Sequence, residues 1–594
     1  MKNKVLSLSL AVAVAAGTTL CSEASVYSRM EIDVSSLPNE RAFFRNVVLS
    51  RLWDRTPPSD AAAILTVRFA EDASLSGEIA TVKVADSVAE IRGGRFRSMV
   101  FGAGLLLRTI RYGEKTFELE DGEYRFEPAN PIRIAYTSRH FDNWYQRASA
   151  EEVMRYVEDL ALWGINGIHT QMDSLDYSVM HFARPTASER AVFEATSVAI
   201  GERVSSLDME QITCGGNNCA PADRSKQFHA VPHRGTSLFN VCPERPGALD
   251  YLVSNHKEYL DRIQKLPIKG WIYWPYDEGG CGCERCMPWG GNGYVKLIER
   301  LCSMNDAAHP GGHHYVSTWL FDNEDWEMFY KYLENQDWID AIIVDSHTDF
   351  PRYPLEHPVP KNIPVVTFPE ISMWGRFPWG GTGANPLPAR FERLYRQCQK
   401  IAKGFELYSE GIFEDVNKMV VNGMYINPKR SANDVLADYA RYELPGCDPS
   451  DFVALCAKLE NIYETRLYNE DEGYIVNYLV EGDPKELEQR LTVAREARLL
   501  AEKIDRSILP TMRRCWRWRQ LYLRALIDEA VYATRDIRTP SVIPAYKELA
   551  ALYHAERQVA GLYNGDWRGW TCPPLADSPD ARRVRARRAK AQKR

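Results

Sequence analysis

An aspartate and a glutamate stand side by side, Asp277 and Glu278, in the segment Gly270-Trp-Ile-Tyr-Trp-Pro-Tyr-Asp-Glu-Gly-Gly280. The first half reads as an aromatic strand and the second as a glycine turn. Two carboxyl groups are thus delivered at a strand's frayed end, where neighbouring side chains can share one pocket. A carboxylic acid that protonates a leaving oxygen, a carboxylate that assists it, and aromatic faces for a sugar ring are the parts of glycoside hydrolysis. Trp271, Tyr273, Trp274 and Tyr276 are the aromatic residues at hand. The competing reading is a solvated Asp-Glu turn, and what favours chemistry is the pattern around the pair.

That pattern alternates strand and helix eight times from Pro131. Strands are expected at 132–137, 167–171, 209–213, 270–276, 315–319, 341–345, 365–368 and 405–408. Helical spacing falls between most of them, as at 150–163, 248–265, 295–303 and 389–403. Eight such units over this length predict a (β/α)8 barrel, whose catalytic groups gather at the C-terminal ends of the strands. Those ends supply Arg139, His140, Asp173, Asn217, Asp277, Glu278, Asp322, Asp345, His347, Glu370, Trp374 and Glu410. Asp277 and Glu278 are the expected catalytic residues. His169, Asn217, Tyr276, Asp345, His347, Trp374, Trp379 and Glu410 are expected to meet substrate. Asp345, His347 and Glu410 could bind hydroxyls or act as a base. Trp374 and Trp379 lie in a loop rich in Gly and Pro, where tryptophan suits a sugar better than a core. His169 either bonds a sugar or sits satisfied beneath the site, Asn217 either contacts substrate or makes a turn, and Arg139 is expected to pair with a buried carboxylate.

The flanks complete the plan. Residues 1–24 read as a cleaved export signal: Lys2 and Lys4, an apolar run from Val5 to Ala16, and Ser22-Glu23-Ala24 before the cut. Short alternating segments and one helix-like run, Ser98–Arg108, make residues 25–128 a small α/β domain. The barrel is assigned 129–430, a helical domain 431–570, and the basic stretch 571–594 a disordered, solvated tail. The chain has 594 residues, 45% of them hydrophobic and 26% charged, with a net charge of -7. That balance favours neither nucleic acid nor membrane insertion as partner, and no later stretch is apolar enough to span a bilayer. Fifteen Trp and 30 Tyr fit carbohydrate stacking as well as a large core.

Thirteen cysteines are many for an exported chain. Cys281, Cys283 and Cys286 form C-x-C-x-x-C directly after the Asp-Glu pair. Metal sites of this kind need four ligands, so zinc would require a partner such as Cys214, Cys219 or a histidine. A disulfide or a packed thiol cluster is the alternative. No metal or cofactor is assigned to the site on sequence grounds.

The segment Ile91-Arg-Gly-Gly-Arg-Phe-Arg-Ser-Met-Val-Phe-Gly-Ala-Gly-Leu-Leu-Leu-Arg108 resembles the last strand and helix of the small domain that precedes the barrel in family 20 glycoside hydrolases, the β-N-acetylhexosaminidases. A related domain precedes the barrel of family 67 α-glucuronidases. Thr137-Ser-Arg-His-Phe141 resembles the end of the first barrel strand, the run from Ser149 to His169 the helix and strand that follow, and Asp277-Glu278 the catalytic pair of the fourth strand. The Cys-rich run after the pair also resembles a group of exported bacterial barrel proteins. Four positions depart from family 20: Pro131 replaces an arginine that grips sugar hydroxyls, Tyr136 an aspartate, His169-Thr-Gln171 a His-x-His, and a Trp-Pro-Tyr segment the usual His-x-Gly. The resemblance therefore implies the scaffold and acid machinery, with a different sugar in the pocket.

Three functions follow as expectations: an exo-acting hydrolase that releases a terminal sugar from a glycan, a carbohydrate-binding barrel without turnover, or a barrel whose cysteines hold a catalytic metal. Within the first, Glu278 is the general acid and Asp277 either steers a substrate 2-acetamido group or leaves water activation to Glu410 or Asp345, as a likeness to α-glucuronidases would require. The export reading has its own test. Leu20 is too bulky for the motif that directs lipid to a following cysteine, so mass spectrometry should find a mature chain that starts near Ser25 and carries no lipid; a chain starting at a diacylated Cys21 would overturn this.

Overall fold

The computed structural model describes residues 24–59, 63–139, 143–170, 187–220, 226–234, 240–275, 279–346, 349–369, 385–409, 411–464, 483–536 and 539–554. The N-terminal region contains β1 (Ser25–Tyr27), β2 (Arg29–Asp33), β3 (Ile64–Glu71), β4 (Ala80–Ala85), β5 (Val88–Gly93), β6 (Arg111–Tyr112), β7 (Phe117–Leu119) and β8 (Gly122–Phe126), with helices α1 (Phe44–Arg55) and α2 (Phe96–Thr109). A five-stranded mixed sheet runs β2-β3-β5-β4-β8, and a small sheet runs β1-β7-β6. Alternation writes the sheet's buried face: Leu65, Val67 and Phe69 of β3, Val82 and Val84 of β4, and Ala89 and Ile91 of β5 are all buried.

Helix α2 is the run expected from Ser98 to Arg108, extended at both ends. It lies so close to the barrel that a Cβ on Gly104 would fall 1.8 Å from the Leu162 carbonyl oxygen. Glycine is what permits this seam. Glu78 seals it: its carboxylate pairs with Arg97 at 2.9 Å and with the buried Arg133, and accepts from Asn166 Nδ2 at 2.9 Å.

The barrel closes on eight parallel strands: β9 (Ile132–Thr137), β10 (Gly167–Thr170), β11 (Glu210–Cys214), β12 (Gly270–Tyr273), β13 (His313–Ser317), β14 (Ala341–Asp345), β15 (Val365–Phe368) and β16 (Ala402–Ser409), with β16 pairing back to β9. The expected (β/α)8 barrel is present, its strands within a few residues of their sequence-derived bounds. The interior is filled by Ile134, Ile212, Ile272, Tyr315, Ala341, Ile343, Val366 and Phe368. Around it stand α3 (Trp144–Arg147), α4 (Ala150–Leu162), α5 (Ala187–Ser206), α6 (Ala248–Ile263), α7 (Gly293–Ala308), α8 (Asn323–Leu333), α9 (Arg352–Glu356), α10 (Pro388–Cys398) and α11 (Asp415–Ile426). Beyond them the described chain is helical: α12 (Ala432–Glu443), α13 (Pro449–Glu464), α14 (Pro484–Ser507), α15 (Trp516–Thr534) and α16 (Ile543–Leu552). No described helix is long and apolar enough to cross a membrane.

One buried ionic knot joins all three regions. Arg517 of α15 donates to Asp415 of α11 and to Asp159 of α4, each at 2.9 Å. Asp159 also accepts from Arg51 of α1 at 2.7 Å. Arg55, one turn along α1, bonds Glu443 of α12, which accepts from the Trp163 indole at 2.9 Å. Tyr156 and Tyr439 both donate to Asp415. Burial alone would raise the Asp159 carboxyl, but Arg51 and Arg517 more than offset it and hold the group well below the usual carboxylate range.

Because its folded-state value lies below the ordinary 3.8, Asp159 contributes stability that is fully present above that pH and lost only as pH falls through the lower folded value. Replacing Arg517 by Met leaves two buried carboxylates without their shared partner and should cost about 3–5 kcal/mol in urea unfolding at neutral pH. The penalty should shrink as the medium is acidified below the carboxylate range. An Arg517→Met midpoint equal to wild type would refute the organising role of the knot.

Candidate active site

Parity along the strands decides which side chains reach the C-terminal mouth of the barrel. Ile134 and Ile272 face inward, so Tyr136 and Trp274, two residues on, do so too. Trp319, Phe368 and Tyr408 belong to the same interior cluster. They form a continuous aromatic rim. Trp274 lies 5.3 Å from Trp319 and 5.0 Å from Phe368 between ring centroids, Phe368 is 6.2 Å from Tyr408, Tyr408 is 5.6 Å from Tyr136, and Tyr136 stacks on the His169 imidazole at 4.1 Å.

The same parity corrects part of the aromatic expectation. Trp271 and Tyr273 point outward into the helical layer, where both are fully buried. Tyr273 bonds His314 Nδ1 at 2.8 Å and accepts from Asn305 Nδ2 at 2.9 Å. Trp271 packs against His309. Only Trp274 of the four faces the mouth among the described residues, and Tyr276 lies outside them.

Beneath the rim, His169 Nδ1 is 2.6 Å from Oε1 of Glu406. Glu406 is completely buried on β16, and its Oε2 has no partner among the described residues. Of the two readings open for His169, the structure supplies the satisfied one: the ring is buried, with Nδ1 on Glu406. Sequence reasoning missed Glu406. The available signal was parity, since it shares a strand face with Tyr408.

Other expected residues divide clearly. Asp345 closes β14 on the inward parity of Ala341 and Ile343 and is half-buried. Asn217 accepts from the Cys219 backbone N–H at 2.8 Å, which is the turn reading. Asp322 is the N-cap of α8, accepting from the Asp325 N–H in a reciprocal capping box, so a helix terminus accounts for it. Arg139 does not meet a carboxylate among the described residues. It donates to the Phe193 carbonyl and the Ser197 hydroxyl and lies over the Phe193 ring, and burial pushes its guanidinium down to about 9. His140, Asp173, Asp277, Glu278, His347, Glu370, Trp374, Trp379 and Glu410 lie outside the described residues.

The chain on either side of the Asp-Glu pair is described and tightly held. Pro275 is buried, and its carbonyl accepts from the Trp289 indole N–H at 2.9 Å. Gly279 and Gly280 both adopt left-handed backbone, with φ of 74° and 65°. A Cβ on Gly280 would sit 1.9 Å from the Trp289 ring, so glycine is required there on two counts. Residues following strand β16 are fixed too. The buried Lys418 ammonium donates to the Gly411 carbonyl at 2.6 Å and to Tyr156 at 2.8 Å. Burial pushes Lys418 down to about 8 against the pull of Glu414 and Asp415.

No family model matches the chain, and no curated protein matches it in sequence. Solved structures do. A family 115 4-O-methyl-α-glucuronidase with specificity for decorated arabinogalactans aligns with a TM-score of 0.58 at 12% identity, over 92% of this chain and 78% of that one. A family 138 enzyme targeting pectin rhamnogalacturonan II aligns at 0.53 and 10% identity, over 91% and 77%. The family 89 enzyme of Clostridium perfringens, solved with GlcNAc-α-1,4-galactose, aligns at 0.57 and 11% identity, over 89% and 65%. The shared property is the fold. Several glycoside hydrolase families carry it, and membership of family 20 in particular is not shown by these likenesses.

The His169–Glu406 pair yields a stability test. His169→Leu leaves a buried carboxylate alone and should cost about 3–5 kcal/mol, whereas the double variant His169→Leu/Glu406→Leu should recover most of that loss. A double-mutant cycle in urea checks the coupling; additive losses would mean that the pair does not interact as drawn.

Proposed function

We propose that this protein is a glycoside hydrolase that releases a terminal sugar from a glycan at the C-terminal mouth of its barrel. The observation that carries the reading is the aromatic rim from Trp274 to Tyr136, with the buried His169–Glu406 pair beneath it. Sugar rings present apolar C–H faces that stack on aromatic side chains, while hydroxyls need a few buried polar groups for orientation. Asp277 and Glu278 follow Trp274 and Pro275 in the chain, just past the end of β12, where barrel enzymes keep their chemistry. Likeness in fold to enzymes of families 115, 138 and 89 supports the same reaction class. Export to the periplasm or beyond fits a glycan substrate and belongs to the same proposal.

In this mechanism Glu278 is the general acid that protonates the glycosidic oxygen. With a 2-acetamido sugar, as in family 20, Asp277 orients the acetamido group for attack on the anomeric carbon, and configuration is retained. With a free hydroxyl or a uronic acid, a carboxylate across the mouth activates water, and Asp345 or Glu410 takes that role. The α-glucuronidase activity of the family 115 neighbour supports keeping this second course. A binding barrel without turnover is the competing function, motivated by the Pro131 and Tyr136 departures. A screen of aryl glycosides and native oligosaccharides separates it from the first two.

Glu278→Gln should lower kcat by roughly 10²- to 10⁴-fold on substrates with poor leaving groups and be spared on those with good ones. Asp277→Asn should be comparably severe under the acetamido course. Under the second course Asp345→Asn or Glu410→Gln is as damaging, and the released sugar is inverted. Full activity of Glu278→Gln on a poor leaving group would remove the acid, and the proposed function with it.

A further inference from the structure

Four cysteines outside the proposed chemistry converge on one point. Cys281, Cys283 and Cys286 come from the loop after β12, and the fourth is Cys242, in the loop after β11. It is not Cys214, Cys219 or a histidine, the partners considered from sequence. The Cys242 sulfur lies 3.8 Å from that of Cys283 and 3.9 Å from that of Cys286, and all four sulfurs fall within 4.8 Å of one another. Cys242, Cys281 and Cys286 are buried and Cys283 is half-buried.

Thiolates bound to one zinc ion at about 2.3 Å define a tetrahedron with edges of about 3.8 Å. The separations from Cys242 to Cys283 and to Cys286 match those edges, and the remaining sulfurs lie within 4.8 Å. An iron–sulfur cubane would spread its thiolates further, because each binds a different iron. The surrounding backbone has the form of a built site. The Val231 N–H points at Cys281 Sγ at 3.4 Å, and Gly282 donates to the Val231 carbonyl at 2.8 Å, so the two loops are already in register. The N–H groups of Cys286 and Met287 both return to the Cys283 carbonyl at 3.0 Å, folding the C-x-x-C turn around the sulfurs.

We propose that Cys242, Cys281, Cys283 and Cys286 hold a single tetrahedral metal ion of the zinc class, which clamps the loop after β12 to the loop after β11. With all four positions taken by protein ligands, such an ion has no open site for substrate or water, and its role is structural. Its consequence for the active site is positional. Cys281 is three residues after Glu278 in the chain, and the clamp together with Trp289 and the two glycines determines where the segment following the Asp-Glu pair can run.

The test is metal analysis of the purified full-length chain, with the thiols kept reduced and zinc supplied during expression. One equivalent of zinc per chain is expected, released on titration with an organomercurial. Cys242→Ser and Cys283→Ser should each lose it. Cys302→Ser should keep it, since Cys302 groups with Asp306 and His314 elsewhere in the barrel. Should the serine variants fail to fold, cobalt substitution of the wild-type chain provides the second readout, an intense thiolate-to-cobalt charge-transfer band with tetrahedral visible bands. No stoichiometric metal, a disulfide mapped from Cys242 to Cys281, Cys283 or Cys286, an iron–sulfur chromophore, or metal loss confined to Cys302→Ser would each overturn the proposal. None of these readouts depends on glycosidase activity, so the clamp and the proposed reaction fail separately.

Discussion

The protein is organised around charges removed from water. Arg517, Asp415, Asp159, Arg51, Arg55 and Glu443 come from five helices, α15, α11, α4, α1 and α12, and each contacts at least one of the others across an otherwise apolar core. Taking so many ions out of solvent costs several kcal/mol apiece, and in general packed hydrophobes in place of a whole buried ion network are often as stable. What the knot provides is uniqueness. Greasy surfaces slide over one another with little penalty, whereas a guanidinium shared by two carboxylates fits in one arrangement only. The N-terminal region, the barrel and the C-terminal helices are therefore joined by three arginines, Arg51 and Arg55 of α1 and Arg517 of α15, on the shared carboxylates Asp159, Asp415 and Glu443.

That relation reaches the mouth of the barrel through a short chain of contacts. Asp415 accepts from Tyr156, Tyr156 accepts from Lys418, and Lys418 donates to the Gly411 carbonyl, next to Glu410. Tyr145 continues the line to Ser409 at the end of β16 at 2.8 Å. A lysine pushed down to about 8 by burial is an expensive anchor, and it is spent on the backbone that leaves the eighth strand. On the opposite side of the mouth, Trp289 and the two left-handed glycines do the corresponding work for the fourth strand.

The barrel was legible in the sequence because its signal is local. Runs such as Ala341-Ile-Ile-Val-Asp345 and Val365-Val-Thr-Phe368 carry strand propensity in four or five residues, and the helices between them carry their own periodicity. The Asp-Glu pair was legible for the same reason, since adjacency is visible in one dimension. What escaped was everything set by parity or by distant pairing. Trp271 and Tyr273 looked equivalent to Trp274 until strand registration sent them to the other side. Cys242 carries no motif of its own, and its kinship with Cys281, Cys283 and Cys286 exists only once two loops meet. Glu406 sits in a run, Phe405-Glu-Leu-Tyr408, that reads as plain strand, and its partner His169 is six strands earlier in the chain.

The His169–Glu406 pair also bears on how the site selects its ligand. A buried carboxylate beside an imidazole is no asset to stability when packed hydrophobes could fill the same volume. Its place directly under an aromatic rim, with one carboxylate oxygen lacking a described partner, fits the proposed site, in which the pair would orient whatever rests on the rim. Glu406 holds the ring of His169 through Nδ1. Tyr136 then becomes intelligible. A charged side chain at this position would compete with Glu406 for the imidazole, while a phenol ring stacked on it keeps the face apolar and fixes the ring plane. Among the described residues, the mouth thus offers an aromatic stacking surface with the His169–Glu406 pair beneath it and Asp345 at the end of β14.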